Sequence, residues 1–148
     1  FQNLQENDFR MLFRQGKLVG VMAAWNQMPF RQTVVKNYAG AVGILRPFIN
    51  LFRTPPLPAT GEPLPFFYIA FSASDTVEDY RALLRSIYNE SIGGPHTHMI
   101  AGLHERDPRL PVLYEYPQTH FAGRLFSVTF DGPVEIDDRI PYIAAALL

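Results

Sequence analysis

LPFFYIAFSASDTVEDYRALLRSIYNES, residues 64–91, changes its hydrophobic period partway through, and that change decides the fold class. Over residues 64–72 the run Phe66, Phe67, Tyr68, Ile69, Ala70, Phe71 is short and continuously apolar, the pattern of a strand covered on both faces. From Asp75 the spacing turns helical. Val77, Tyr80, Leu84, Ile87 and Tyr88 form one stripe, while Glu78, Arg81, Arg85 and Asn89 lie opposite. An amphipathic helix over residues 75–91 is therefore predicted, opened by a capping box of Asp75 with Glu78 and stopped by Gly93-Gly94-Pro95. Residues 97–103 read as the next strand. A strand–helix–strand unit of this length is expected to be parallel and right-handed.

Outward from that unit the chain adds antiparallel pieces. Residues 9–14 alternate, with Phe9, Met11 and Phe13 on one face and Arg10 and Arg14 on the other, as in a half-buried strand. Gln15-Gly16-Lys17 is a tight turn, and the apolar residues 18–25 return as a second strand. Residues 33–42 fit either period. Residues 46–52 predict a short helix with Pro47 in its first turn. Six of the 13 prolines fall between Pro47 and Pro65, which makes this stretch an extended connector inside one domain. Residues 110–116 predict a short helix, residues 121–130 a last alternating strand, and residues 139–148 a strand or short helix. The fold class expected is α/β, a mixed sheet with flanking helices in a single domain spanning residues 1–148.

Composition narrows the function classes. The chain has 148 residues, 47% of them hydrophobic, enough for a core without a metal or disulfide staple. The net charge is -1 and Lys and Arg form no run, so no nucleic-acid partner is expected. Cysteine is absent, which removes thiol chemistry and fits a reducing, cytoplasmic setting. No apolar run approaches the ~20 residues of a bilayer span, so no membrane partner is expected. The chain opens on Phe1, and an upstream part is expected to precede it.

Three segments carry a family resemblance: Gly16-Lys17-Leu18-Val19-Gly20-Val21, Phe66 to Ser72 with the helix that follows, and Gly102-Leu103-His104-Glu105-Arg106-Asp107-Pro108. In topology and texture the chain resembles the GNAT superfamily of N-acetyltransferases. The resemblance implies a GNAT-like (acyl-CoA N-acyltransferase-like) sheet and acetyl-CoA lying between two parting strands. It also implies acetyl transfer to a small-molecule or other amine substrate. The cofactor-binding residues it implies are Phe71, Ser72, Ala73 and Ser74. A family member begins with a strand and helices ahead of the hairpin, whereas eight residues precede Phe9 here. A homodimer, or docking of the open hairpin edge onto an absent N-terminal domain, is the expected partner. At the helix start the family's glycine-rich pyrophosphate loop is replaced by Ser72-Ala73-Ser74-Asp75-Thr76-Val77-Glu78-Asp79, with no glycine and three carboxylates. Such caps satisfy the N–H groups a phosphate needs, so weak acetyl-CoA binding is expected, and with it the alternative of a catalytically silent module.

His104 and Glu105 stand where the parallel strand ends, the usual ligand side of an open α/β sheet, and either suits a general base. The competing reading is a surface pairing of Glu105 with Arg106 or Arg109, and a helix start at Asp107-Pro108. On the helix that follows, Tyr114 is preferred to Tyr116 as the proton donor that the resemblance implies. His96, His98 and His104 share one parity, but His104 lies ~20 Å beyond His98 along a strand. These residues cannot converge on one ion, and no metal is expected. Trp25-Asn26-Gln27 and Arg31-Gln32-Thr33 either line an acceptor pocket or pack a loop and satisfy backbone groups.

Overall fold

The computed structural model describes all residues except 54, 125, 127–129, 131, 133–136, 143 and 148. Its centre is a four-stranded mixed sheet in the order β1 (Phe9–Arg14), β2 (Lys17–Trp25), β3 (Phe66–Ser74), β4 (His98–Ile100). β1 and β2 form a hairpin joined by Gln15 and Gly16, with φ of 49° and 79°. Two successive positive φ values give a turn whose twist matches that of the strands. β2 pairs antiparallel with β3, and β3 pairs parallel with β4 through Phe66↔His98, Phe67↔Met99 and Tyr68↔Ile100. The parallel unit is thus as expected, but the ladder stops after three pairs, and residues 101–103 leave the sheet.

α2 (Val77–Ser91) crosses between β3 and β4. Its Tyr80, Leu83, Leu84 and Ile87 are buried against Met22, Phe67 and Ile69. The second face of the sheet packs Trp25, Phe66, Tyr68 and Ala70 against Ala146. Both faces of β3 are therefore covered, as its unbroken apolar run demands. Gly20 admits α2: a Cβ there would lie 2.8 Å from Leu83 Cδ1 and 3.4 Å from the Ala73 carbonyl. Leu83 is 3% exposed and has little room to yield. Gly20→Ala is expected to destabilise by about 1–3 kcal/mol, the usual range for overpacking, measured as a lower urea midpoint at unchanged m.

Several local expectations are corrected. The half-buried face of β1 is the other one. Leu12 packs on the core, and Arg10 and Arg14 reach α2 to pair with Glu90 and Asp79, leaving Met11 and Phe13 exposed. Two α2 carboxylates decide which parity turns inward. α2 starts at Val77, not Asp75, and its N-cap is Thr76, whose Oγ1 accepts the Asp79 N–H at 3.1 Å. Asp75 still belongs to the sheet, donating its N–H to the Val19 carbonyl at 2.9 Å, so no helix can begin there. The short helix predicted at residues 46–52 is α1 (Val42–Leu51), with Pro47 inside it. The next helix, α3 (Leu110–Leu113), is shorter than expected, and Ala145–Leu147 is a 3-10 turn. Residues 33–42 hold an isolated bridge, Val34 to Pro63. The strand predicted at residues 121–130 falls largely outside the described residues, while residues 121–124 carry no regular structure.

No helix among the described residues is long and apolar enough to cross a membrane. β1 lies at the end of the sheet with no strand on its outer side among the described residues.

Candidate functional site

β3 is irregular where it loses its parallel neighbour. Between Val21↔Ala73 and Ala23↔Ala70 it carries one extra residue, a β-bulge at Phe71. Phe71 sits at φ 49°, a left-handed conformation that a bulky residue rarely adopts and that costs roughly 1–2 kcal/mol. Its ring is held by contacts with Phe1 at 5.0 Å and Trp25 at 5.9 Å. Bulges re-aim the chain beside functional sites, and this one turns the backbone groups of Ser72 away from a ladder.

Those groups meet side chains from distant segments. The Ser72 N–H donates to the Tyr142 hydroxyl at 3.1 Å, and the Ser72 carbonyl accepts from Arg109 Nη1 at 3.4 Å. Asp107, 7% exposed, fixes the guanidinium through Nη2–Oδ2 at 2.6 Å and Nε–Oδ1 at 2.9 Å. Arg109 also lies 5.3 Å from the ring centroid of Tyr80. The Arg109 hydrogen bond holds the Asp107 carboxyl below the usual carboxylate range. Burial pushes the Tyr80 phenol up to about 12, so it stays neutral and serves the guanidinium as an aromatic face. Ala145 packs so close to Gly102 that a Cβ on Gly102 would lie 2.8 Å away. The segment carrying Tyr142 and Ala146 thus fills the wedge between β3 and the chain leaving β4. Gln27, buried, donates to the Ala146 carbonyl at 2.7 Å and packs this loop.

Of the sequence candidates, those on β3 lie at this edge, and no hydrogen bond or ion pair among the described residues joins His104, Glu105 or Tyr114 to Ser72. Ser72 lies at its centre, between Phe71 and Ala73, an exposed residue paired with Val21. The Ser74 hydroxyl is buried without a hydrogen-bond partner. His104 Nδ1 accepts the Arg106 N–H at 3.1 Å, which places the ring proton of the neutral form on Nε2. Glu105 is exposed and makes no ion pair among the described residues. Tyr114 is exposed, while the Tyr116 hydroxyl is buried and its ring lies 4.8 Å from that of Tyr88. Arg109 pairs with Asp107 rather than Glu105, so the surface pairing weighed for it does not form. Asp107, Arg109 and Tyr142 carried no sequence signal for this role.

The three acids at the helix start are neutralised individually. Asp75 pairs with Lys17 at 3.2 Å, Glu78 with Arg81 at 3.1 Å, and Asp79 with Arg14 at 2.7 Å. The Thr76 hydroxyl first, then Arg14, hold the Asp79 carboxyl below its ordinary value. Among the described residues no group of three or more His, Asp or Glu is arranged to hold a metal ion.

Compared with protein-family models, with curated proteins and with solved structures, the chain matches none of them.

Proposed function

We propose that this chain is a GNAT-like domain that accepts an acyl thioester at the edge of β3 beyond its last pair with β4, displacing Tyr142 from Ser72, and transfers the acyl group to an amine. The observation that supports the reading is the parting of two parallel strands after Tyr68↔Ile100, with a bulge just beyond it that takes the backbone of Ser72 out of the ladder. A backbone N–H aimed out of a sheet edge suits the oxygen that gains charge when a carbonyl is attacked. In this reading Ser72 donates to that oxygen in place of Tyr142. Glu105, which makes no ion pair among the described residues, takes the proton of the attacking amine as the new C–N bond forms. Tyr114 returns a proton to the sulfur as the C–S bond breaks. His104 is the weaker base, because the lone pair of Nδ1 already accepts the Arg106 N–H.

The far end of acetyl-CoA fits less well. Thr76 already serves the Asp79 N–H, and residues 72–79 lack a glycine for close approach by a pyrophosphate. One observation favours the second reading, a catalytically silent module that supports a partner domain or a dimer: both backbone groups of Ser72 are already engaged by the chain itself. Calorimetric titration separates the two. The native chain is expected to bind acetyl-CoA with Kd weaker than about 100 μM, corresponding to about 5.5 kcal/mol. Tyr142→Ala is expected to tighten it by about fivefold, since one competing hydrogen bond of about 1 kcal/mol is removed. If neither protein binds, the silent reading replaces the enzymatic one.

A further inference from the structure

α1 faces the wrong way for a helix of a water-soluble domain. Its polar side chains point into the protein. Asn50 clasps the connector through Nδ2–Leu57 O at 3.1 Å and Leu57 N–Oδ1 at 2.8 Å, and Arg46 Nε donates to the same carbonyl at 3.0 Å. The opposite face carries Ile44, Phe48 and Leu51, continued by Phe52 just beyond the helix. Their exposures are 80%, 65%, 73% and 92%, and no residue of α1 is buried. Side chains at these spacings form one stripe. Contiguous exposed apolar surface of this kind marks an interaction site.

The chain on either side of α1 carries charge of one sign. Between Asp8 and Glu62 the chain contains Lys and Arg but no Asp or Glu. Arg10, Arg14 and Lys17 from that span are paired with carboxylates elsewhere. Arg31, Lys36, Arg46 and Arg53, which surround α1 in the chain, make no ion pair with any described residue. Arg46 and Arg53 donate to carbonyls, which leaves their charge uncancelled. An outward stripe of Phe, Leu and Ile, with Arg31, Lys36 and Arg53 in the chain on either side and none of them ion-paired among the described residues, is the chemistry of a helix that lies in a membrane interface.

We propose that α1 is a peripheral membrane-docking element that seats Ile44, Phe48, Leu51 and Phe52 among the acyl chains of an anionic lipid surface, with Arg31, Lys36 and Arg53 of the flanking chain supplying the attraction to the headgroups. This docking is distinct from spanning and is independent of the acyl-transfer reading. The test is flotation of the whole chain with two kinds of vesicle, phosphatidylcholine alone and phosphatidylcholine with about one third phosphatidylserine, at low and high salt. The serine-containing vesicles are expected to capture the chain at least about tenfold better, with the advantage shrinking as salt rises. The double variant F48D/F52D is expected to lose that binding at least about tenfold while keeping the native circular dichroism and thermal midpoint, because neither side chain is buried. Equal binding to both vesicles, or binding that survives F48D/F52D, would overturn the proposal. So would a concentration-dependent dimer that F48D/F52D converts to monomer, since the stripe would then be an interface between copies.

Discussion

Leu84→Ala is expected to lower the stability of this domain by about 2–5 kcal/mol, the range for emptying a fully buried leucine site. Leu84 is 0% exposed and packs in the cluster of Met22, Phe67, Ile69, Tyr80 and Ile87. The loss has two parts: the transfer energy of the deleted carbons, and a cavity that the facing strands cannot close. β2 and β3 are held by their ladder and covered again on the far face by Trp25, Phe66 and Tyr68, so the sheet cannot sink toward α2. Urea unfolding with the same slope and a lower midpoint is the signature. Arg85→Ala, one residue along on the solvent side, is expected to stay within about 0.5 kcal/mol. A Leu84→Ala effect no larger than that control would place the stripe of α2 on the surface.

Arg109→Ala is expected to cost about 2–4 kcal/mol at pH 7. That is below the full penalty for an orphaned interior charge, because the Arg109 side chain is 17% exposed and water reaches its rim. The variant leaves Asp107 buried without its two hydrogen bonds from the guanidinium, and the Ser72 carbonyl without its donor. The pH dependence has a defined sign. In the folded protein Arg109 depresses the Asp107 pKa. The pair therefore contributes its stability above the unfolded carboxylate value and loses it as pH falls through the depressed folded value. The gap between wild type and Arg109→Ala is accordingly widest at neutral pH and narrows in acid. Thermal midpoints at pH 7 and near pH 3 check this, at about 2–4 °C per kcal/mol. A gap that is constant across that range would mean that Arg109 acts through packing on Tyr80 alone.

The two variants separate the framework from the edge. Leu84 lies in the layer between α2 and the sheet. Arg109 lies at the rim of that layer, over the Tyr80 ring, and braces Ser72. If the edge of β3 beyond its last pair with β4 is where an acyl thioester sits, Arg109→Ala disturbs ligand binding at temperatures where Leu84→Ala, still folded, does not.

How much of this was legible in the chain follows from the range of the forces involved. The period change within residues 64–91 is a local signal, set by which side chains each element must bury, and it determined β3, α2 and their order. The parallel strand after them followed from the chirality of such units. The Gln15-Gly16 turn was equally local, since only particular residues tolerate successive positive φ. Where two readings had similar local energy, tertiary contacts decided. Asp75 and Thr76 both suit an N-cap, and the sheet hydrogen bond from Asp75 to Val19 settled the start of α2. Either parity of β1 pairs equally well with β2, and the carboxylates of Asp79 and Glu90 turned the arginines inward. Ser72 and its neighbours were named through the family resemblance, from their place just ahead of α2, but the partners of Ser72 were not. Tyr142 is 70 residues away and Arg109 is 37. Neither carries a periodic or motif signal, because each meets the bulge through a loop whose course depends on everything packed beneath it. The outward-facing stripe of α1 was hidden for the same reason: its amphipathic pattern is plain in the chain, but the side it turns to water was decided by Asn50 and Arg46 closing on Leu57.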